Sequence, residues 1–95
     1  MNKYETLYVI STNLEDEAIA AKISKFSDLI AANGGTVEKT DEWGKRRLAY
    51  PIDYKTEGYY VLVNFEGSSE LPKELERNFK NDESILRYIV IRRED

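Results

Sequence analysis

A chain of 95 residues with formal net charge −4, 41% hydrophobic and 34% charged, has room for one hydrophobic core and no second. It contains no cysteine and no histidine, which excludes a disulfide framework, a thiolate nucleophile, Cys or His metal ligands, and the side chain most used for acid–base chemistry near neutral pH. No apolar run approaches the roughly 18 residues that cross a bilayer, and the N-terminus carries no signal-peptide core; the expectation is one cytosolic domain over residues 1–95 with no membrane contact.

Taken in chain order, Tyr4 to Ile10 alternates as a strand, with Tyr4, Thr6, Tyr8 and Ile10 on one face and Glu5, Leu7 and Val9 on the other. Thr12 and Glu15 have the spacing of a capping box, and Glu15, Asp16 and Glu17 suit the positive end of a helix. Ile19, Ile23, Phe26 and Ile30 give that helix one apolar face, and Asn33-Gly34-Gly35 stops it. Thr36 to Trp43 is a half-exposed strand, Gly44 offers a bulge or bend, and Arg46 to Ile52 continues the strand. Pro51 has no amide donor, which places this strand at a sheet edge or ends it there. Asp53 to Gly58 reads as a turn, and Tyr59 to Phe65 is apolar enough for a central strand. Ser68 or Ser69 is positioned to cap a second helix, Pro72 fits its first turn, and Leu71, Leu75 and Phe79 form its apolar stripe. Asn81 to Ser84 breaks it, and Ile85 to Arg92 is a last strand.

The order β-α-β-β-α-β is the ferredoxin-like α+β plan: a four-stranded antiparallel sheet, first and third strands central, both helices on one face. One sheet face then lacks helical cover, with Tyr60 and Leu62 on it. The cations gather in two places. Lys45, Arg46 and Arg47 are consecutive, and Arg87, Arg92 and Arg93 lie along the last strand, with Lys3 on the neighbouring first strand. Alternation sends Arg46 and Arg47 to opposite faces, so they have different jobs. Two readings of the cluster stay open: a phosphate grip, or edge-strand charge that discourages aggregation. Asp41-Glu42 stands just before it and is placed to pair with it.

The seven tyrosines raise base stacking as one reading, but Tyr8, Tyr50, Tyr59, Tyr60 and Tyr88 fall on strand positions, where rings pack across a sheet, and packing is the favoured reading. Trp43 reads as an anchor at the strand bend. Gly58-Tyr59-Tyr60-Val61-Leu62-Val63 does not match the third-strand signature of an RNA-recognition module of this fold. There is no Gly-rich phosphate loop, EF-hand loop or nucleophile elbow.

The Tyr4-Glu5 opening, the run Arg46-Arg47-Leu48-Ala49-Tyr50-Pro51-Ile52, the Gly58-Tyr59 strand start and Leu86-Arg87 together resemble the bacterial small-subunit ribosomal protein S-six (S6) family, over essentially the whole chain. The resemblance implies a non-enzymatic structural protein without cofactor or small-molecule substrate. It implies binding to the central domain of small-subunit ribosomal RNA, cooperatively with ribosomal protein S-eighteen (S18), as a heterodimer. It carries over Tyr4, Arg46, Arg47 and Arg87 as RNA or partner contacts; Lys3, Lys45, Arg92 and Arg93 join them on charge and topology. Many relatives continue into a C-terminal tail where this sequence stops at Asp95, so no tail contact is carried over. Two rivals remain: a ferredoxin-like regulatory module that self-associates and binds a small ligand, and an acylphosphatase-like hydrolase. The hydrolase lacks an anion-binding loop before the first helix.

Overall fold

A computed structural model describes residues 2–52 and 55–93. Its elements are β1 (Asn2–Ser11), α1 (Asp16–Ala32), β2 (Thr36–Ile52), β3 (Lys55–Gly67), α2 (Leu71–Lys80) and β4 (Ile85–Arg92). The strands form one antiparallel sheet in the order β2-β3-β1-β4, so β1 and β3 are central and Pro51 sits on an edge strand. This is the expected ferredoxin-like arrangement. Ile19, Ile23, Phe26 and Ile30 of α1 and Leu71, Leu75 and Phe79 of α2 pack in one cluster with Tyr4, Tyr8, Ile10, Val61, Val63 and Phe65. Period-two alternation on β1 and β3 therefore commits those strand positions to the helices and leaves Leu7, Val9, Tyr60 and Leu62 on the uncovered face. Among the described residues no helix is long and apolar enough to cross a membrane.

The exit from α1 follows from its glycines. Gly34 takes φ +80° and its N–H donates to Ala31 O at 3.1 Å, while the Gly35 N–H donates to Ile30 O at 2.8 Å. Those two bonds are a Schellman motif. Gly35 also lets the chain pass under α2: a Cβ there would sit 2.6 Å from Leu71 Cδ2 and 2.9 Å from Glu66 O.

Three local expectations are corrected. The Thr12–Glu15 capping box does not form. Glu15 itself is the N-cap, without a side-chain cap bond, because Ser11 stays in β1 and its Oγ accepts from the Asn13 N–H at 3.2 Å. Neither Ser68 nor Ser69 caps α2; Glu70 is its N-cap, and Ser68 contributes its backbone carbonyl to the Leu71 N–H at 3.1 Å. Of the expected turn, Lys55 to Gly58 is strand, paired in register with Ile52, Arg47 and Arg46, while positions 53 and 54 lie outside the described residues.

The turn from α2 to β4 is pinned by one carboxylate. Asp82 accepts from Lys22 Nζ at 2.8 Å, Ser84 Oγ at 2.6 Å and the Ser84 N–H at 3.0 Å, and Lys25 Nζ lies 3.4 Å away. Burial alone would raise its pKa, but the bonds from Lys22 and Ser84 outweigh that and hold the carboxyl well below the usual range. A carboxyl depressed in the folded state stabilises the protein above its unfolded pKa, near 4, and loses that contribution as pH falls through the folded value. Asp82→Asn is therefore expected to lower the unfolding free energy at pH 7 by about 2 kcal/mol. Urea titrations should show the gap to the parent narrowing below about pH 4; a gap unchanged from pH 7 to pH 2 would contradict this origin.

Candidate nucleic-acid interface

The position of each candidate follows from the register of β2. Asp41 stands opposite Leu62, but Gly44 stands opposite Tyr60, so one extra residue enters β2 between Glu42 and Gly44. Gly44 takes φ +81°, a conformation that favours glycine, and the extra residue makes a β-bulge. The bulge resets the alternation. Arg46 falls opposite Gly58 on the uncovered face, and Lys45 and Arg47, opposite Tyr59 and Glu57, fall on the other. Without the inserted residue the assignment would reverse.

The uncovered face carries a row of side chains across all four strands. Trp43 of β2 lies parallel to Tyr60 of β3, with centroids 6.2 Å apart and 8° between planes. Tyr60 stands opposite Val9 of β1, and Val9 opposite Arg87 of β4. Leu7, Val9, Tyr60, Arg87 and Ile89 line a shallow groove of about 180 Å³ there. Arg46 holds its guanidinium 5.5 Å from the Trp43 ring centre. The hairpin of β2 and β3 runs past the end of β1, whose last partner is Gly58. Leu48 is buried beside Gly58, and Tyr50 reaches the far edge strand, where the Arg87 guanidinium lies 5.4 Å from its ring. Gly58 permits this close approach: a Cβ there would lie 2.2 Å from Val9 Cγ1.

Lys45, Arg46, Arg47 and Arg87 are exposed at this end and have no carboxylate partner among the described residues. The expected pairing of Asp41-Glu42 with the cluster does not occur among those residues. Asp41 accepts from the Trp43 indole N–H at 3.3 Å, and Glu42 accepts from Tyr59 Oη at 2.8 Å, which raises the Tyr59 pKa. Lys3, Arg92 and Arg93 share the opposite end of the sheet, as their strand positions implied. Arg92 stands opposite Tyr4, five residues along β1 from the Arg87 pairing at Val9, or ~17 Å away. Arg93 and Lys3 both approach Glu38, at 3.3 and 3.9 Å, and Arg92 donates to Asn2 Oδ1 at 3.0 Å.

Tyr4 belongs to neither group. Its ring is buried in the core against Phe65, centroids 5.5 Å apart. It shares a strand face with Tyr8 and Ile10, which pack in the same core cluster. In the other direction, Trp43 (39% exposed) and Tyr50 (58%) were not among the candidate contacts. The signal for them was their sequence neighbourhood with Arg46.

Residues 3–92 match the family model described as Ribosomal protein S6. Small ribosomal subunit protein bS6 of Clostridium acetobutylicum is 50% identical over 91 residues, covering 96% of each chain. The bS6 of Caldanaerobacter subterraneus is 48% identical over 95 residues, covering 100% of both. The crystal structure of 30S ribosomal protein S6 from Thermotoga maritima aligns with TM-score 0.92 at 26% identity, over 97% of this chain and 87% of that one.

Trp43 is the single tryptophan and reports on the assignment of faces. Arg46→Ala should alter its emission intensity or maximum, whereas Arg47→Ala should leave the spectrum unchanged. Equal responses would contradict the register set by the bulge.

Proposed function

The chain belongs to the ribosomal protein S6 family, and from that membership we propose that it binds the central domain of small-subunit ribosomal RNA as one half of a heterodimer with S18. As a family member it is a structural constituent of the small subunit of the cytoplasmic ribosome and serves translation in a class that is not enzymatic. The observation that supports RNA binding is the concentration, at one end of a chain whose net charge is −4, of cations with no salt-bridge partner among the described residues. Arg46 and Arg87 approach RNA from the uncovered face, where guanidinium groups bond phosphate oxygens in pairs. Lys45 and Arg47, on the other face, brace the hairpin or meet the partner. Lys3, Arg92 and Arg93 form a secondary zone, partly offset by Glu38. Tyr4 acts through packing.

The acidic balance suits a joint binder. A basic partner neutralises most of the phosphate charge and is steered to acidic surface on this chain. This chain then contributes a few placed cations and a rigid platform, so that recognition runs mainly through backbone and shape.

The test is a binding titration of a central-domain RNA fragment with this protein alone, with S18 alone, and with both. Weak binding by this protein alone and much tighter binding by the pair are expected. Tight binding by this protein alone, unchanged by S18, would contradict the heterodimer. A stable homodimer indifferent to RNA would favour the self-associating module instead.

A further inference from the structure

We infer that the uncovered sheet face around Trp43, Tyr50 and Tyr60 receives the flat faces of unpaired RNA bases, on the ring surface that the Arg46 and Arg87 guanidinium groups over Trp43 and Tyr50 leave free. This deepens the RNA-binding reading above and rests on it. Three observations carry it. First, two aromatic rings on this face reach solvent although a guanidinium lies over each: Tyr50 is 58% and Trp43 39% exposed, and Trp43 lies parallel to Tyr60. Large rings are ordinarily buried because leaving them in water forfeits their apolar area. Second, each exposed ring carries a guanidinium at 5.4 to 5.5 Å, and neither arginine has a carboxylate partner among the described residues. Third, the groove beside them is lined by Leu7, Val9 and Ile89 together with Tyr60, Tyr88 and the Arg87 cation, so a base meets apolar side chains and its phosphate a guanidinium.

The chemistry selects one occupant. Aromatic planes accept any flat π-system, and uncompensated guanidinium groups require negative charge on the same molecule. A nucleotide offers both within one residue. A basic protein partner would satisfy the apolar side chains but leave the two arginines facing like charge. Asp41, the acidic group bonded to this cluster, accepts the indole N–H and so holds Trp43 by its ring edge. Duplex RNA hides its base faces inside the helix, so the occupant is a loop, bulge or single-stranded segment.

Three pairs of measurements decide the matter. The full chain is titrated with a single-stranded hexaadenylate and with a blunt RNA duplex of matched phosphate number, following Trp43 fluorescence and the anisotropy of labelled RNA. Saturable quenching of Trp43 by the single strand, and not by the duplex, is expected. Tyr50→Ala, at an exposed position where the fold should persist, is expected to weaken single-strand binding by about 5- to 150-fold, the range of stacking one base on a ring. Circular dichroism of the variant confirms that it is folded. Equal quenching by the duplex, an unchanged affinity in folded Tyr50→Ala, or no single-strand binding would overturn the inference. Single-strand binding seen by anisotropy without Trp43 quenching would overturn it while leaving the RNA-binding reading intact. A self-association that shields Trp43 and ignores RNA would overturn both, and sedimentation of the free protein detects it.

Discussion

Which residues reach the uncovered face depends on an inserted residue in β2, at the second of two register shifts that precede Arg46. Strand alternation is rigid: once β3 is fixed by β1 and the helices, every residue of β2 is assigned to a face by its register. The bulge before Gly44 shifts that register by one and exchanges the faces of the residues that follow. Gly44 makes the shift tolerable, because at φ +81° a side chain would strain the backbone by about 1–2 kcal/mol. The consequence is chemical. Trp43, Arg46, Leu48 and Tyr50 come to one side with Tyr60 and Val9, and Lys45 and Arg47 go to the other.

Packing makes that side stable enough to leave open. The helix face holds the aromatic core, where Tyr8 lies against Phe26 and Phe79 with centroids 5.3 and 5.0 Å apart. The Tyr8 hydroxyl has no hydrogen-bond partner among the described residues, and burial pushes its pKa up, so the core keeps it neutral. Elsewhere many charges are matched in place: Lys22 and Lys25 with Asp82, Arg77 with Glu74, Arg93 and Lys3 with Glu38. Most of these pairs are exposed and contribute little each. None of them involves Lys45, Arg46, Arg47 or Arg87, which have no salt-bridge partner among the described residues.

The fold was legible because its signals are local and periodic. The helical spacing from Ile19 to Ile30 and the alternation from Tyr4 to Ile10 each report a face directly, and Ile85–Arg92 matches the observed last strand. Helix starts were not legible. Thr12, Ser68 and Ser69 are good capping residues, yet strand pairing and helix docking fixed the actual starts at Glu15 and Glu70. Lys55 to Gly58 reads as a turn by composition, but the long hairpin pairs those residues with β2, a non-local pairing that sequence spacing does not reveal. The site was half legible. Strand alternation separated Arg46 from Arg47, but which of them faces the open sheet was set by the bulge, whose exact position needs the register. Tyr4 was carried by resemblance, and its ring lies in the core. The reach of Tyr50 to Arg87 joins opposite edges of the sheet, and no pattern along the chain announces it.

The central claim is a division of labour between neighbouring arginines. Affinity of the heterodimer for the central-domain RNA fragment, measured across salt concentrations with Arg46→Ala and with Arg47→Ala, tests it directly. Arg46→Ala is expected to flatten the slope of log affinity against log salt by about 0.7–0.9, the amount that one phosphate no longer neutralised removes, and Arg47→Ala to leave the slope unchanged. A flattened slope in Arg47→Ala alone, or the same flattening in both, would contradict the face assignment on which the site is built.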